Sequence, residues 1–405
     1  MLPVEIRPSI FWVGVNDHQI KLFEGLWPVH EEGVSYNSYL INDEKKAIID
    51  LSSLSTAEDL LEMVSSITDP SKLDYIIVNH LEPDHSGALR LFRMLAPQVQ
   101  IVCSPKCAEM LESFYGITSG VMTVKDGDVL DLGKHQLKFV STPFVHWPET
   151  MMTYEINEKI LFSCDGFGSY GALYGTIFDD ASVDITWYEK QALRYYVNIV
   201  ATFSRSTRNA INKLANVPVA IVAPSHGLIW RNHPERIIEL YNRWAGYAFE
   251  PAPDGVVLLH ASMYGNTRKV MEAVAQGVAD AGLPLTVLDV QKIHVSYILP
   301  ELWVNKAVLI GAPTYEGELF PVMASVLNLA KRKRVYNKLA AGFGSCAWLG
   351  GGQSQLATFA EGLKWQLDGS FEFKGAPEWA DLQRAHVFGA EFARKVPNFV
   401  PPAEK

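Results

Sequence analysis

The chain is poor in cysteine, has no long apolar run and carries no excess of positive charge, and each shortage closes off a class of protein. Four cysteines in 405 residues, at Cys103, Cys107, Cys164 and Cys346, are too few and too scattered for a disulfide framework. Cys103 and Cys107 lack the second pair that would complete a zinc or iron-sulfur site. No run approaches membrane-spanning length, and Met1-Leu2-Pro3-Val4-Glu5-Ile6-Arg7 has neither the basic segment nor the apolar core of a signal sequence. The expectation is a cytoplasmic protein with no membrane partner. A formal net charge of -10 argues against non-specific binding of nucleic acid or anionic lipid. Internal repeats and low-complexity segments are also missing. What remains is a soluble profile, 48% hydrophobic and 20% charged, in a chain long enough for two domains.

The stretch from Asp74 to Gly87 organises the rest. Tyr75-Ile76-Ile77-Val78 is a short buried strand, and within a few residues of it come His80, Glu82, Asp84 and His85. Residues two apart on extended chain project to one side, so His80, Glu82 and Asp84 are expected to converge, with Pro83 stiffening the loop and a helix signalled from Ser86 onward. One metal cannot easily use all four, so the arrangement suggests two metals that take further ligands from elsewhere. Three other strand-like runs end in the same way. Gln136–Val140 leads to His146, Lys159–Cys164 leads to Asp165, and Val217–Pro224 leads to His226. In layered α/β folds, sites form where strand ends converge on one edge. The seven candidates are His80, Glu82, Asp84, His85, His146, Asp165 and His226.

The first half opens with three successive strands, Ile10–Val15, Ser38–Ile41 and Lys46–Leu51, which predicts an antiparallel start. Helices are expected at about 56–67, 86–96 and 105–115, and one long helix at about Thr186–Leu214, whose tyrosines read as core. Turn-formers at Pro251, Pro253 and Gly255 mark a linker. Beyond it, Val256–His260, Leu285–Val290, Ala307–Pro313 and Leu339–Ser345 alternate with helical segments, the pattern of a parallel doubly wound sheet.

The loop after Val256–His260 lacks the lysine of a nucleotide-triphosphate loop and the three-glycine dinucleotide fingerprint. Ser262, Met263, Tyr264, Gly265, Asn266 and Thr267 instead offer hydroxyls, an amide and backbone N–H groups at a helix start, which suits a phosphate monoester. Pro313, Thr314, Tyr315, Glu316 and Gly317 form a second loop on that edge, and Ser345, Cys346, Ala347, Trp348, Leu349 and Gly350 a third. Tyr315 and Trp348 can flank a planar ring, so the three loops together favour flavin mononucleotide (FMN).

His80-x-Glu82-x-Asp84-His85, with His146, Asp165 and His226, joined to the Ser262–Thr267 loop, resembles the flavodiiron proteins, the A-type flavoproteins that include rubredoxin:oxygen oxidoreductases and nitric oxide reductases. The resemblance spans nearly the whole chain. It implies a metallo-β-lactamase-like αββα sandwich over residues 1–250 with two non-haem irons, then a flavodoxin-like doubly wound parallel sheet over 254–405 with FMN. It further implies that His80, Glu82 and His146 bind one iron, that Asp84, His85 and His226 bind the other, and that Asp165 bridges them. No catalytic side chain beyond these ligands is implied. Hydrolases of similar fold usually place a second histidine where this chain has Glu82, and they use zinc. A carboxylate there suits ferric iron, which weighs against the alternative of a dizinc hydrolase with an accessory flavodoxin domain. The implied activity is reduction of dioxygen to water, of nitric oxide to nitrous oxide, or both. Electrons would enter at the flavin from a separate donor such as rubredoxin, since the chain shows no rubredoxin-like cysteine pairs. The two sites of one chain are expected to lie far apart, so a head-to-tail homodimer is expected, with a homotetramer as the alternative. Some members carry a histidine in the N-terminal loop where this chain has Glu24-Gly25-Leu26-Trp27-Pro28 and His30 a little later, a departure that bears on the preference between the two gases.

Overall fold

A strand buried on one face alternates in polarity, whereas one covered on both faces is apolar throughout. Tyr75–Val78 has all four side chains buried, and it lies inside a seven-stranded sheet. In order across the sheet, the strands are Val4–Arg7, Ile10–Trp12, Tyr39–Asn42, Lys46–Ile49, Tyr75–Val78, Gln100–Cys103 and Val121–Thr123. The structure, a computed structural model, describes residues 1–180 and 182–401. The chain divides into two compact units, Met1–Arg243 and Trp244–Lys405.

In the first unit, Leu40, Ile48, Ile76 and Ile101 share one face of the large sheet and meet Leu60, Val64, Phe92 and Leu111. These four come from the helices Ala57–Ser65, Leu89–Leu95 and Pro105–Tyr115. The alternate residues Tyr39, Ile41, Ile49 and Ile77 are equally buried, and they face a second sheet. The Tyr39 ring meets Phe162 of that sheet at a tilt, with centroids 4.9 Å apart, and its hydroxyl donates to the Pro224 carbonyl. The second sheet runs Val129–Asp131, Gln136–Ser141, Met151–Glu155, Ile160–Cys164 and Ile221–Pro224. The helices Ile185–Tyr195, Ser204–Leu214 and Pro234–Gly246 complete the αββα order. Each fully buried aliphatic in these layers contributes roughly 1.5–3 kcal/mol over leaving it exposed.

Three expectations change on inspection. The antiparallel opening holds for the pairs around Tyr39–Asn42, but the third strand ends at Ile49 because Asp50 takes a positive φ of 50°. The long helix is broken: Ile185–Tyr195 passes into a π-helical turn at Tyr196–Val200 and a 3-10 turn at Ala201–Phe203 before Ser204–Leu214 begins. The break coincides with Val197, Ile199, Val200 and Thr202, β-branched residues that lose rotamer freedom in a regular helix. The loop after Tyr75–Val78 also differs, since a short helix spans Pro83–Ser86 and a second spans Leu89–Leu95.

In the second unit five strands run parallel, in the order Leu285–Asp289, Val256–His260, Ala307–Gly311, Leu339–Cys346 and Gln366–Lys374. The last strand escapes sequence reading because it is a half-polar edge, QLDGSFEFK, interrupted at Gly369 by a register shift. The order reverses beside Val256–His260, which places a binding crevice at the carboxyl ends of the strands there.

At the amino ends of the strands Lys338, just before Leu339–Cys346, has its ammonium buried and donates to the carbonyls of Trp303 at 3.0 Å and Asn305 at 2.7 Å. Burial pushes its pKa down to about 7. The unfolded lysine binds its proton up to about pH 10.4, so above pH 7 the unfolded chain holds a proton that the fold releases. Stability of this unit therefore rises with pH from 7 to about 10. Denaturant unfolding across that range should show the slope, and Lys338→Met should flatten it.

Candidate functional site

The seven candidates come together at one end of the αββα unit. His80 Nε2 lies 3.2 Å from Glu82 Oε2 and 3.5 Å from Asp165 Oδ2. His146 Nε2 lies 3.0 Å from Glu82 Oε2 and 3.5 Å from Asp165 Oδ2. A second group faces the other oxygen of the same carboxylate. His85 Nε2 is 3.0 Å and His226 Nε2 3.4 Å from Asp165 Oδ1, while Asp84 offers oxygens at 3.5 Å to His85 and 3.3 Å to His226. Asp165 thus shares its two oxygens between two subsites.

The local backbone explains the sorting. Glu82 keeps extended geometry as the cap of the short helix, so it points with His80, two residues before it. Asp84 and His85 sit on the helical turn and are rotated toward the second group, so Asp84 does not join His80 and Glu82 as extended spacing alone predicts. The four histidines and Asp165 are buried, whereas Glu82 and Asp84 keep side-chain exposures of 17% and 16%. The exposed part of Asp84 is not its carboxylate, whose two oxygens are buried.

Burial alone would raise the Asp165 carboxyl, but His85, His226 and His80 outweigh it and hold the carboxyl well below the usual range. Glu82 is likewise drawn down to about 2 by His146 and His80 against the opposing effect of burial. Burial opposes a charge on His226, yet Asp165 and Asp84 lift it to about 10. A cation would take the place of the protons these imidazoles hold. Asp84 Oδ1 and Oδ2, His85 Nε2, Asp165 Oδ2 and His226 Nε2 are buried and have no hydrogen-bond partner among the described residues. Buried polar atoms are rarely left that way. Their convergence on two points fits metal ions, and four imidazoles with three carboxylates form a set that suits iron.

Sequence reading missed three supporting residues. Asp50 accepts the Asn79 N–H at 2.8 Å and the Ser225 hydroxyl at 3.3 Å, joining the loop that carries His80 to the loop that carries His226. Glu149 accepts from His80 Nδ1 at 2.6 Å and so leaves Nε2 to face the cluster. Tyr195 donates its hydroxyl to Asp165 Oδ1 at 2.8 Å. Asp50 had a signal, a carboxylate ending an apolar strand, and Glu149 follows His146 closely. Tyr195 had none, being one of several tyrosines in a helical run.

Burial and the neighbouring Asp165 push the Tyr195 phenol well above its ordinary pKa, so it keeps its proton and remains a donor. A hydrogen bond to a charged group contributes about 1.5–3 kcal/mol. Tyr195→Phe is expected to lower turnover roughly 10- to 100-fold at unchanged flavin content, read by steady-state kinetics.

The N-terminal loop places Phe23 edge-on against His226 at 5.4 Å between ring centroids. Glu24 accepts from the Trp27 indole at 3.0 Å, and His30 stands in solvent beside Glu31.

In the second unit, residues 262–267, 313–317 and 345–350 lie at the carboxyl ends of three adjacent parallel strands. Gly265, at φ 89°, begins the helix Asn266–Asp280, and its N–H donates to Ser262 Oγ at 3.0 Å. Thr267 and Ser345 hydroxyls meet at 3.1 Å and join the first loop to the third. Thr314 is held by Glu372 and by the N–H of Gly352, both at 3.0 Å. A Cβ on Gly351 would lie 1.9 Å from the Gly317 carbonyl, so the second and third loops approach through a position only glycine fills. Tyr264, beside the start of that helix, is 90% exposed, and Trp348 in the third loop is 88% exposed. Such a cradle fits a phosphate monoester carrying a flat ring.

An αββα unit with a carboxylate-bridged pair of subsites, followed by a flavodoxin-like unit, defines a two-centre oxidoreductase class. Residues 34–227 match the ODP family beta lactamase model, and residues 258–385 match the flavodoxin model. The anaerobic nitric oxide reductase flavorubredoxin of Shigella flexneri is 33% identical over 97% of this chain and 82% of its own length. The rubredoxin oxygen:oxidoreductase of Desulfovibrio gigas superposes with a TM-score of 0.92 at 29% identity, covering 98% of this chain and 99% of that one. The flavodiiron protein of Giardia intestinalis gives 0.93 at 28% identity, with 98% of each chain covered. The chain belongs to the flavodiiron protein family.

Proposed function

We propose that this protein reduces dioxygen to water, nitric oxide to nitrous oxide, or both, with FMN receiving electrons from an external donor and a non-haem iron pair delivering them to the gas. His80, Glu82 and His146 would hold one iron, Asp84, His85 and His226 the other, and Asp165 would bridge them. When bound, the iron pair supplies the electrons and the open coordination positions that the gas requires. The observation that carries this reading is the division of the seven side chains into two groups about the two oxygens of Asp165.

The remaining roles belong to the protein. Glu149 and the Ser35 carbonyl fix the tautomers of His80 and His226, so that Nε2 of each faces the metals. Tyr195 restrains the bridging carboxylate and keeps a proton beside it. Phe23 keeps water from the His226 edge. The partly exposed Glu82 marks the side from which a gas molecule and protons would arrive. The loops 262–267, 313–317 and 345–350 would hold FMN, its phosphate at the start of the helix Asn266–Asp280 and its ring between Tyr315 and Trp348.

The dizinc hydrolase alternative gains nothing from the relatives, which are named as reductases and flavodiiron proteins. A separate rubredoxin-type protein is the donor we propose, acting in the cytoplasm on a head-to-tail homodimer that sets the flavin of one protomer beside the irons of the other. Among the described residues no helix is long and apolar enough to cross a membrane.

The test is anaerobic single-turnover reoxidation of the reduced protein by each gas separately, with iron and flavin measured on the same sample. Two irons and one flavin per chain with fast reoxidation support the reading and rank the gases. Zinc in place of iron, or reoxidation at the rate of free flavin, overturns it.

A further inference from the structure

The two subsites have the same ligand inventory, each with two histidines, one terminal carboxylate and one oxygen of Asp165. They differ in what stands behind the histidines. On one side His80 Nδ1 donates to the carboxylate of Glu149 at 2.6 Å. On the other side His226 Nδ1 donates to a neutral carbonyl, that of Ser35, at 2.7 Å. His85 Nδ1 meets the thiol of Cys164 at 3.9 Å, and the Asp50 carboxylate stands within 4.8 Å of a nitrogen of that ring while its oxygens accept from Asn79 and Ser225 rather than from the imidazole.

Glu149 is built for this contact. It is fully buried, and the same oxygen that receives the His80 proton also accepts the Leu81 N–H at 3.0 Å. Its main-chain carbonyl is held by the Ser104 hydroxyl at 2.7 Å. Its second oxygen, Oε2, is buried and without a hydrogen-bond partner among the described residues. The negative charge is therefore shared with the Leu81 N–H and is otherwise felt chiefly by His80. Trp147, edge-on to His80 with ring centroids 5.0 Å apart, keeps water from the pair. A carboxylate behind a metal-binding imidazole pulls on the Nδ1 proton and makes Nε2 a stronger donor, which a carbonyl or a thiol does far less.

We propose that Glu149 makes the subsite of His80, Glu82 and His146 the tighter of the two, so that it fills first, while the subsite of Asp84, His85 and His226 is the weaker and more exchangeable. This rests on the metal reading above. Loading is then ordered, and the second position is the one lost first to a chelator. Glu149 acts as a positioning residue through His80.

The test uses the full chain freed of metal and given one equivalent of Zn²⁺, a redox-silent probe. Anomalous scattering from crystals of that sample gives the occupancy of each subsite, and calorimetric titration gives the two affinities. The expected result is zinc beside His80 and His146, with the second subsite filling in a later, weaker step. In Glu149→Gln the first step should weaken roughly 10- to 100-fold while the second is unchanged, bringing the two steps together. Equal occupancy in the unaltered protein, or zinc first beside His85 and His226, overturns the inference without touching the metal reading. Equal weakening of both steps in the variant also overturns it. Failure of zinc to bind at either subsite sinks both. The measurement on the unaltered chain decides the matter even if the variant does not fold.

Discussion

Asp165→Asn is expected to abolish gas reduction while flavin content stays at one per chain. The carboxylate gives one oxygen to each subsite, Oδ2 facing His80 and His146 at 3.5 Å and Oδ1 facing His85 and His226 at 3.0 and 3.4 Å. Asparagine keeps the shape but removes the charge and turns one of these acceptors into a donor. The amide would then meet one of the metals with N–H groups, and the cations would lose the anion that faces both. Removing an outer partner of a metal ligand costs roughly 10- to 100-fold in affinity or activity, so the loss of a shared ligand should exceed that range. The flavin cradle is formed within the second unit by other strands and should be unaffected. Iron and flavin analysis beside turnover reads both halves. Near-normal turnover in the variant would end the diiron reading.

The second large effect is on stability. Arg194 is buried and donates to Glu32 at 2.7 Å, to Gln191 at 3.3 Å and to the Pro28 carbonyl, with its guanidinium over the Tyr170 ring at 5.1 Å. The residues it holds flank the N-terminal loop that carries Phe23, and Arg194 itself stands one residue before Tyr195. Removing one partner of a buried pair strands the other charge, at a cost of about 3–5 kcal/mol. Arg194→Met should lower unfolding free energy by that amount, and the double variant Arg194→Met with Glu32→Leu should recover a large part of it, because no stranded carboxylate remains. Denaturant titration of both variants measures the difference. Equal losses in the single and double variants would mean that the arginine matters through packing rather than charge.

The parts of this molecule that could be read from its sequence are those where one strand or one motif carries the information by itself. His80, Glu82, Asp84 and His85 follow a four-residue apolar strand, and the strands that deliver His146, Asp165 and His226 end in the same way. Val256–His260, Ala307–Gly311 and most of Leu339–Cys346 are buried on both faces and announce themselves, and the edge strand Leu285–Asp289 does so by its apolar run LTVL, while Gln366–Lys374, half-polar at the other edge, does not. The turn that divides Glu82 from Asp84 is decided by a four-residue helix at Pro83–Ser86, too short to show a period. Asp50, Glu149 and Tyr195 were hidden for a different reason. Each acts on a residue at least 29 positions away, and such partners are set by how sheets stack.

The π-helical turn at Tyr196–Val200 constrains what length changes this chain can accept. A π turn holds one residue more than the α-helical path it replaces, so deleting one residue there closes it to an ordinary turn and keeps the flanking segments in phase. The Tyr195 ring would still meet Asp165 and the Arg194 guanidinium would still meet Glu32. A deletion inside the regular helix Ser204–Leu214 has no such slack, because each residue removed there turns one side against the other by roughly 100°. The locally awkward stretch is therefore the one most free to be shortened.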